Sequence, residues 1–159
     1  LLFHYRQGFG PARKLNFFPA MNEYIVNRYG EKWGTTNLEV EIVGTGGTYN
    51  LPDDSILRNK RVLGMFVLSN SDNSANSPSG RPLISDIAVR STYITLKVNN
   101  DEVIHEHPLS DFLQNAAGDR TIRMLNLCNL NSQKSSVLVS NTALISDGES
   151  IVLQFIYEL

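Results

Sequence analysis

The segment Glu149-Ser150-Ile151-Val152-Leu153-Gln154-Phe155-Ile156-Tyr157-Glu158 decides the fold. Ile151, Leu153, Phe155 and Tyr157 recur at every second residue, the period of a strand whose alternate side chains share one face. Upstream, Leu38-Glu39-Val40-Glu41-Ile42-Val43 sets Leu38, Val40 and Ile42 against Glu39 and Glu41 in the same period. Thr92 to Val98 repeats it, with Thr92, Ile94, Leu96 and Val98 on one face. Arg61 to Leu68 is apolar nearly throughout and reads as a further strand. Ile84 to Arg90, Glu102 to His107, Thr121 to Leu127 and Ser136 to Ser140 complete the set of expected strands.

Turn chemistry separates them. Gly44-Thr45-Gly46-Gly47 ends the first strand. Asn99-Asn100-Asp101 predicts a tight hairpin, because Asn and Asp tolerate positive φ. Ser69 to Pro82 forms a long polar loop. Pro108 to Asn115 predicts a short helix, starting near Pro108 or capped by Ser110. Little helix falls between the strands, which disfavours a parallel βαβ sheet. No fixed repeat points to a propeller or solenoid. The expectation is all-β: an eight-stranded, jelly-roll-like β-sandwich over residues 35–159. An immunoglobulin-like sandwich is the alternative, but its Cys–Trp–Cys core is missing.

Residues 1–34 read differently, as an extended arm with a short helix. Phe3, Tyr5, Phe9, Phe17, Phe18, Tyr24, Tyr29 and Trp33 alternate with Arg6, Arg13, Lys14, Arg28 and Lys32. Gly8, Gly10 and Pro11 interrupt regular structure. Ala20 to Tyr29 predicts the helix, with Met21, Tyr24 and Ile25 near helical spacing and Gly30 as its stop. So many aromatics predict docking, on the chain's own domain or on a neighbouring subunit. Phe3, Tyr5, Arg6, Phe9, Arg13, Phe17, Phe18, Tyr24 and Trp33 are the candidate subunit-interface residues. The same mixture suits nucleic acid through phosphate pairing and stacking. Interfaces between proteins enrich Arg and aromatics too, and that reading is favoured. The chain opens at Leu1 without a signal-peptide pattern, which suggests a longer or processed product.

Composition bounds the function. The 159 residues form one domain by length, carry a net charge of −2 and have a pI near 5.9. That balance argues against a dedicated nucleic-acid binder. No run approaches the roughly 18 apolar residues of a membrane span. Charged residues are 19% of the chain, below the roughly 25% typical of soluble domains, with Asn and Ser filling the gap. Cys128 is the single cysteine, so no internal disulfide or Cys-based zinc site forms. Its apolar run, Met124 to Cys128, predicts buried packing.

His105-Glu106-His107 is the candidate metal motif. A regular strand places His105 and His107 on one face with Cα atoms about 7 Å apart, and a distant carboxylate could join them. Cupins use a related His-x-His but add a Glu that is missing after His107. The competing reading is a histidine pair at the end of an edge strand, and no metal or other cofactor is expected. Gly44 to Gly47 lacks the following helix of a phosphate loop. No Gly-x-Ser-x-Gly elbow occurs. Asp53-Asp54 and Asp72-Asn73 read as solvated loops. The chain is expected not to be an enzyme.

A family resemblance joins these readings. Ile87 to Val98, the hairpin through Asn99-Asn100-Asp101 and His107-Pro108-Leu109-Ser110-Asp111-Phe112-Leu113 resemble jelly-roll virion proteins of bacteriophages of Bacteroidetes and related hosts. In those, a Tyr-x-Thr-Leu strand leads to a turn, as Tyr93 to Leu96 does here. A Pro-Leu-Ser then opens a short helix, and a later strand precedes a basic or Ser-rich segment like Ser132 to Ser136. The resemblance covers about residues 60–159. It implies a virion structural protein, capsid or capsid-associated. Such a protein assembles through arm and loops as a homo-oligomer with other virion proteins, in a particle built in the host cytoplasm. The alternative is a carbohydrate- or receptor-binding module, with Trp33 and Tyr49 as stacking platforms and Asp72, Asn73 and Asn76 as hydroxyl partners. A cupin-type metalloenzyme stands or falls with His105 and His107.

Overall fold

The computed structural model describes residues 32–43, 47–69, 77–113, 123–140, 144–145 and 147–159. Among these residues eight strands appear: β1 (Trp33–Glu41), β2 (Gly47–Asn50), β3 (Val62–Leu68), β4 (Thr92–Val98), β5 (Asp101–Pro108), β6 (Arg123–Leu127), β7 (Ser136–Val139) and β8 (Ser150–Glu158). They form two four-stranded antiparallel sheets, ordered β1-β8-β3-β6 and β2-β7-β4-β5. The period-two apolar positions of both sheets meet in one core. Leu38, Val40, Met65, Val67, Ile151, Leu153 and Phe155 come from the first sheet; Ile94, Leu96, Val137 and Val139 come from the second. The chain is an all-β sandwich.

β1 and β8 pair without interruption from Trp33↔Glu158 to Glu41↔Ser150. β1 therefore starts two residues before the boundary placed at residue 35. The arm's Phe3, Tyr5, Arg6, Phe9, Arg13, Phe17, Phe18 and Tyr24, and the helix expected at Ala20 to Tyr29, lie outside the described residues.

Three expectations change. Ile84 to Arg90 is not a strand: Asp86–Arg90 forms a short helix, α2. The Ser85 hydroxyl accepts the Ala88 N–H at 3.2 Å, satisfying a donor at the helix start. Ile84 before the cap and Val89 in the first turn are both fully buried, the positions of a hydrophobic staple. The eighth strand is instead β2, whose Tyr49 sits opposite Val137. Cys128 is exposed rather than packed. Along β6 the half-buried side chains are Leu125 and Leu127, and Met124, Asn126 and Cys128 take the other parity. The short helix after Pro108 is one 3-10 turn, Leu109–Phe112, with no side-chain cap.

The expected hairpin forms: Val98 pairs with Asp101 across Asn99-Asn100, and Asn99 takes φ +56°. A second helix, α1 (Ser55–Asn59), was not expected. Asp54 caps it, accepting from Ile56 N–H at 2.7 Å and Leu57 N–H at 3.3 Å.

Candidate functional site

Two sheets of four strands leave two outer strands each, and the pair β5 and β6 frames a surface cleft among the described residues. β5 edges one sheet and β6 the other. One end is closed by the Val98–Leu130 bridge, with Asn131 N–H donating to the Lys97 carbonyl at 2.8 Å. Near the other end Leu113 bridges to Val67. Between them lies a cleft of about 350 Å³ lined by Val103, Ile104, His107, Phe112, Met124, Leu125 and Leu127. Its volume is at the lower end of ligand-sized clefts. Val103 is 44% and Met124 37% exposed, so apolar surface faces water at its mouth. Asp101, Glu102 and Glu106 on β5 and Asp111 in the turn after it are exposed.

β5 is irregular, and this decides the fate of the histidines. Its register against β4 shifts between Ile94 and Leu96 and again between Leu96 and Lys97. Glu106 takes φ +40°, and its N–H donates to Thr95 Oγ1 at 3.1 Å. A bulge breaks the alternation that would hold both imidazoles on one face. His105 Nδ1 lies 2.7 Å from Glu102 Oε2, and its side chain is 69% exposed. His107 Nε2 donates to Asp111 Oδ2 at 2.7 Å, with its ring edge-on to Phe112 at 5.8 Å. Each histidine has its own carboxylate, and among the described residues no three His, Cys, Asp or Glu gather as a metal site. Bulges and charges also blunt β5 as an edge for strand addition.

Other expected site residues are scattered. Trp33 packs on its own sheet, against Leu63, Phe66 and Ile156. Tyr49 donates its hydroxyl to the Val43 carbonyl at 3.0 Å. Asp72, Asn73 and Asn76 lie outside the described residues.

Two polar clusters escaped the sequence reading. Asp54 is no solvated loop residue. Besides capping α1 it accepts from Thr36 Oγ1 at 2.8 Å, and its N–H donates to Ser132 Oγ at 3.0 Å. It thus joins β1, α1 and the turn Ser132–Lys134. An Asp immediately before Ser55-Ile56-Leu57 was the legible cap signal.

Glu39 is the second. Ser150 Oγ donates to its Oε1 at 2.8 Å, and Ser79 donates through both its hydroxyl and its N–H. Arg81 lies 3.7 Å away and pairs with Glu41 at 2.9 Å. Burial pushes the Glu39 carboxyl up, but hydrogen bonds from Ser77, Ser79 and Ser150 outweigh it and hold the group below its ordinary value. Both clusters tie loops to β1 and are structural in character.

Comparison with protein-family profiles, curated proteins and solved structures finds no match to this chain. Among the described residues, no helix is long and apolar enough to cross a membrane.

Proposed function

We propose that this protein is a jelly-roll virion structural protein, capsid or capsid-associated, that assembles with copies of itself through its arm and loops. The strand pairing supports the jelly roll. β1 meets β8, β2 meets β7, β3 meets β6 and β4 meets β5. That is one long antiparallel hairpin, with its tip at Asn99-Asn100, rolled into two sheets.

The observation that carries assembly is the match between cleft and arm. The cleft is apolar and open, and β5 and the turn after it carry the exposed carboxylates Asp101, Glu102, Glu106 and Asp111, of which Glu102 pairs with Lys97 and His105 and Asp111 with His107. Residues 1–19 hold Phe3, Tyr5, Phe9, Phe17 and Phe18, with Arg6, Arg13 and Lys14 and no Asp or Glu. An aromatic anchor in an apolar pocket with complementary charge at the rim is the usual energetic centre of an interface. The arm of one copy seats in the β5–β6 cleft of the next, and other virion proteins meet the loops.

Native mass by light scattering tests this. The full chain forms an oligomer, and the full chain carrying Phe9→Ser, Arg13→Glu and Phe17→Ser does not. A full chain that stays monomeric at high concentration overturns the reading.

A further inference from the structure

An edge strand presents N–H and C=O groups that its own sheet does not use, and folded proteins blunt such edges by shortness, bulges or charge. Three of the four edges here are blunted. β2 has four residues. β5 shifts register twice against β4, with Glu106 at φ +40°. β6 carries Asn126 at φ +56°, and its pairing with β3 shifts between Val62 and Gly64. β1 differs. It spans nine residues, pairs with β8 in unbroken register and holds no residue at positive φ.

Backbone parity identifies the open groups. Ile42 N–H donates to the Glu149 carbonyl at 2.9 Å, and Leu159 N–H donates to the Lys32 carbonyl at 3.1 Å. Alternate residues of an antiparallel strand bond to the same neighbour, so the even-numbered residues of β1 bond to β8. Trp33, Thr35, Asn37, Glu39 and Glu41 therefore turn their N–H and C=O groups to the outer edge. β1 is the last strand of its sheet, and among the described residues no backbone hydrogen bond reaches those groups. Thr35, Asn37 and Glu41 are exposed. The two carboxylates that could protect this edge are engaged within the chain. Glu39 accepts from Ser150 Oγ at 2.8 Å, and Glu41 pairs with Arg81 at 2.9 Å.

We propose that β1 of a second copy pairs antiparallel with this edge about a two-fold axis at Asn37, joining the β1-β8-β3-β6 sheets of two chains into one. A strand edge alone buries little surface, so the pairing forms within the oligomer and in that respect rests on the assembly reading. Its geometry uses β1 alone. Overlap of the whole strand fixes the register: Trp33 lies opposite Glu41 of the other copy, Thr35 opposite Glu39, and Asn37 opposite Asn37. Each is a hydrogen-bonded pair, so every open N–H and C=O of the strand finds a partner. No like charges meet in this register. A parallel in-register pairing would set Glu39 on Glu39 and Glu41 on Glu41, which is destabilising. On the core face Val40 comes opposite Gly34 and Leu38 opposite Thr36, a larger side chain beside a smaller one each time. The same edge serves both copies, so the contact closes on itself and does not propagate.

The test uses the full chain with Cys128→Ser, so that one introduced thiol reports. The axis sets residue 37 beside its own copy, with Cα atoms about 5.5 Å apart. Residue 41 then lies about 27 Å from its copy. Oligomers confirmed by native mass are treated with a short bis-maleimide. Asn37→Cys should give covalent dimers at least about tenfold faster than Glu41→Cys. Asn37→Pro gives a second readout: it removes an N–H that β8 does not use, a position where an edge strand accepts Pro. It should lower the native mass while the urea midpoint stays nearly unchanged. Oligomers in which residue 37 does not link overturn the edge pairing and leave the assembly reading standing; the edge then belongs to water or to another segment. Oligomers in which residues 37 and 41 link equally fast, or whose mass Asn37→Pro does not change, overturn it in the same way. A chain that stays monomeric at high concentration overturns both.

Discussion

Thr36 Oγ1 donates to Asp54 Oδ2 at 2.8 Å, tying the start of β1 to the residue that caps α1. Asp54 spends its other oxygen on the Ile56 and Leu57 N–H groups. One carboxylate therefore fixes a helix start and a strand, while its own N–H fixes the Ser132 turn. Asp54→Ala removes the cap and the Thr36 link together. A loss of about 1–3 kcal/mol is expected by urea unfolding. Asp53→Ala removes only an exposed pair with Arg58 and should change stability by less than about 1 kcal/mol.

Acid should loosen the Glu39 cluster. The folded state holds this carboxyl below its ordinary value of 4.5. Its stabilisation is therefore complete above that value and is lost as pH falls through the lower, folded-state value. Unfolding curves for the native chain and Glu39→Gln should differ most near neutrality, and the gap should narrow as pH falls through the lowered folded-state value. A gap that stays constant with pH would show that the charge contributes nothing.

The cleft predicts a separation of assembly from folding. Val103→Asp and Met124→Lys alter side chains that are 44% and 37% exposed. Each should leave the unfolding midpoint nearly unchanged, within about 0.5 kcal/mol. On the proposed assembly, Val103→Asp places a charge in the cleft that would take the aromatic anchor and should dissociate oligomers. Met124→Lys adds repulsion against Arg6 and Arg13 and should do the same. Native mass and urea midpoint, measured on the same samples, separate the two effects.

Asn99 holds φ +56° at the β4–β5 turn. Asn99→Gly keeps that conformation accessible and should be close to neutral. Asn99→Val forces a branched side chain into the left-handed region, at a cost of about 1–2 kcal/mol. Thermal or urea unfolding of the two variants reads the difference directly.

Cys128 is exposed just past the end of β6. Its thiol should titrate fully with a water-soluble reagent in the folded protein, without denaturant. A thiol that reacts only after unfolding would restore the buried reading.

The elements legible from the chain were those whose pattern is local. Ile151, Leu153, Phe155 and Tyr157 announce β8 because adjacent strand residues point to opposite faces whatever the partner. Asn99 announces its turn because its φ is a property of one residue. Ile84 to Arg90 misled because its apolar residues suit a strand, and the Ser85 cap was the weaker signal beside them. Cys128 misled because an apolar neighbourhood in sequence is not one in space: the parity of Leu125 and Leu127 turned it outward.

Tertiary structure alone decided the rest, because it depends on contacts between distant residues. Glu39 meets Ser150 across 111 positions and Asp54 meets Ser132 across 78. The β5 bulges separated His105 from His107, since the register against β4 overrode strand alternation. The cleft exists because β5 and β6 end up as edges of different sheets, a matter of strand order. Alternation and turns were determined by the sequence through neighbours two to four residues apart. Which strands pair, which face is sealed and which edge stays open were settled only when the chain packed.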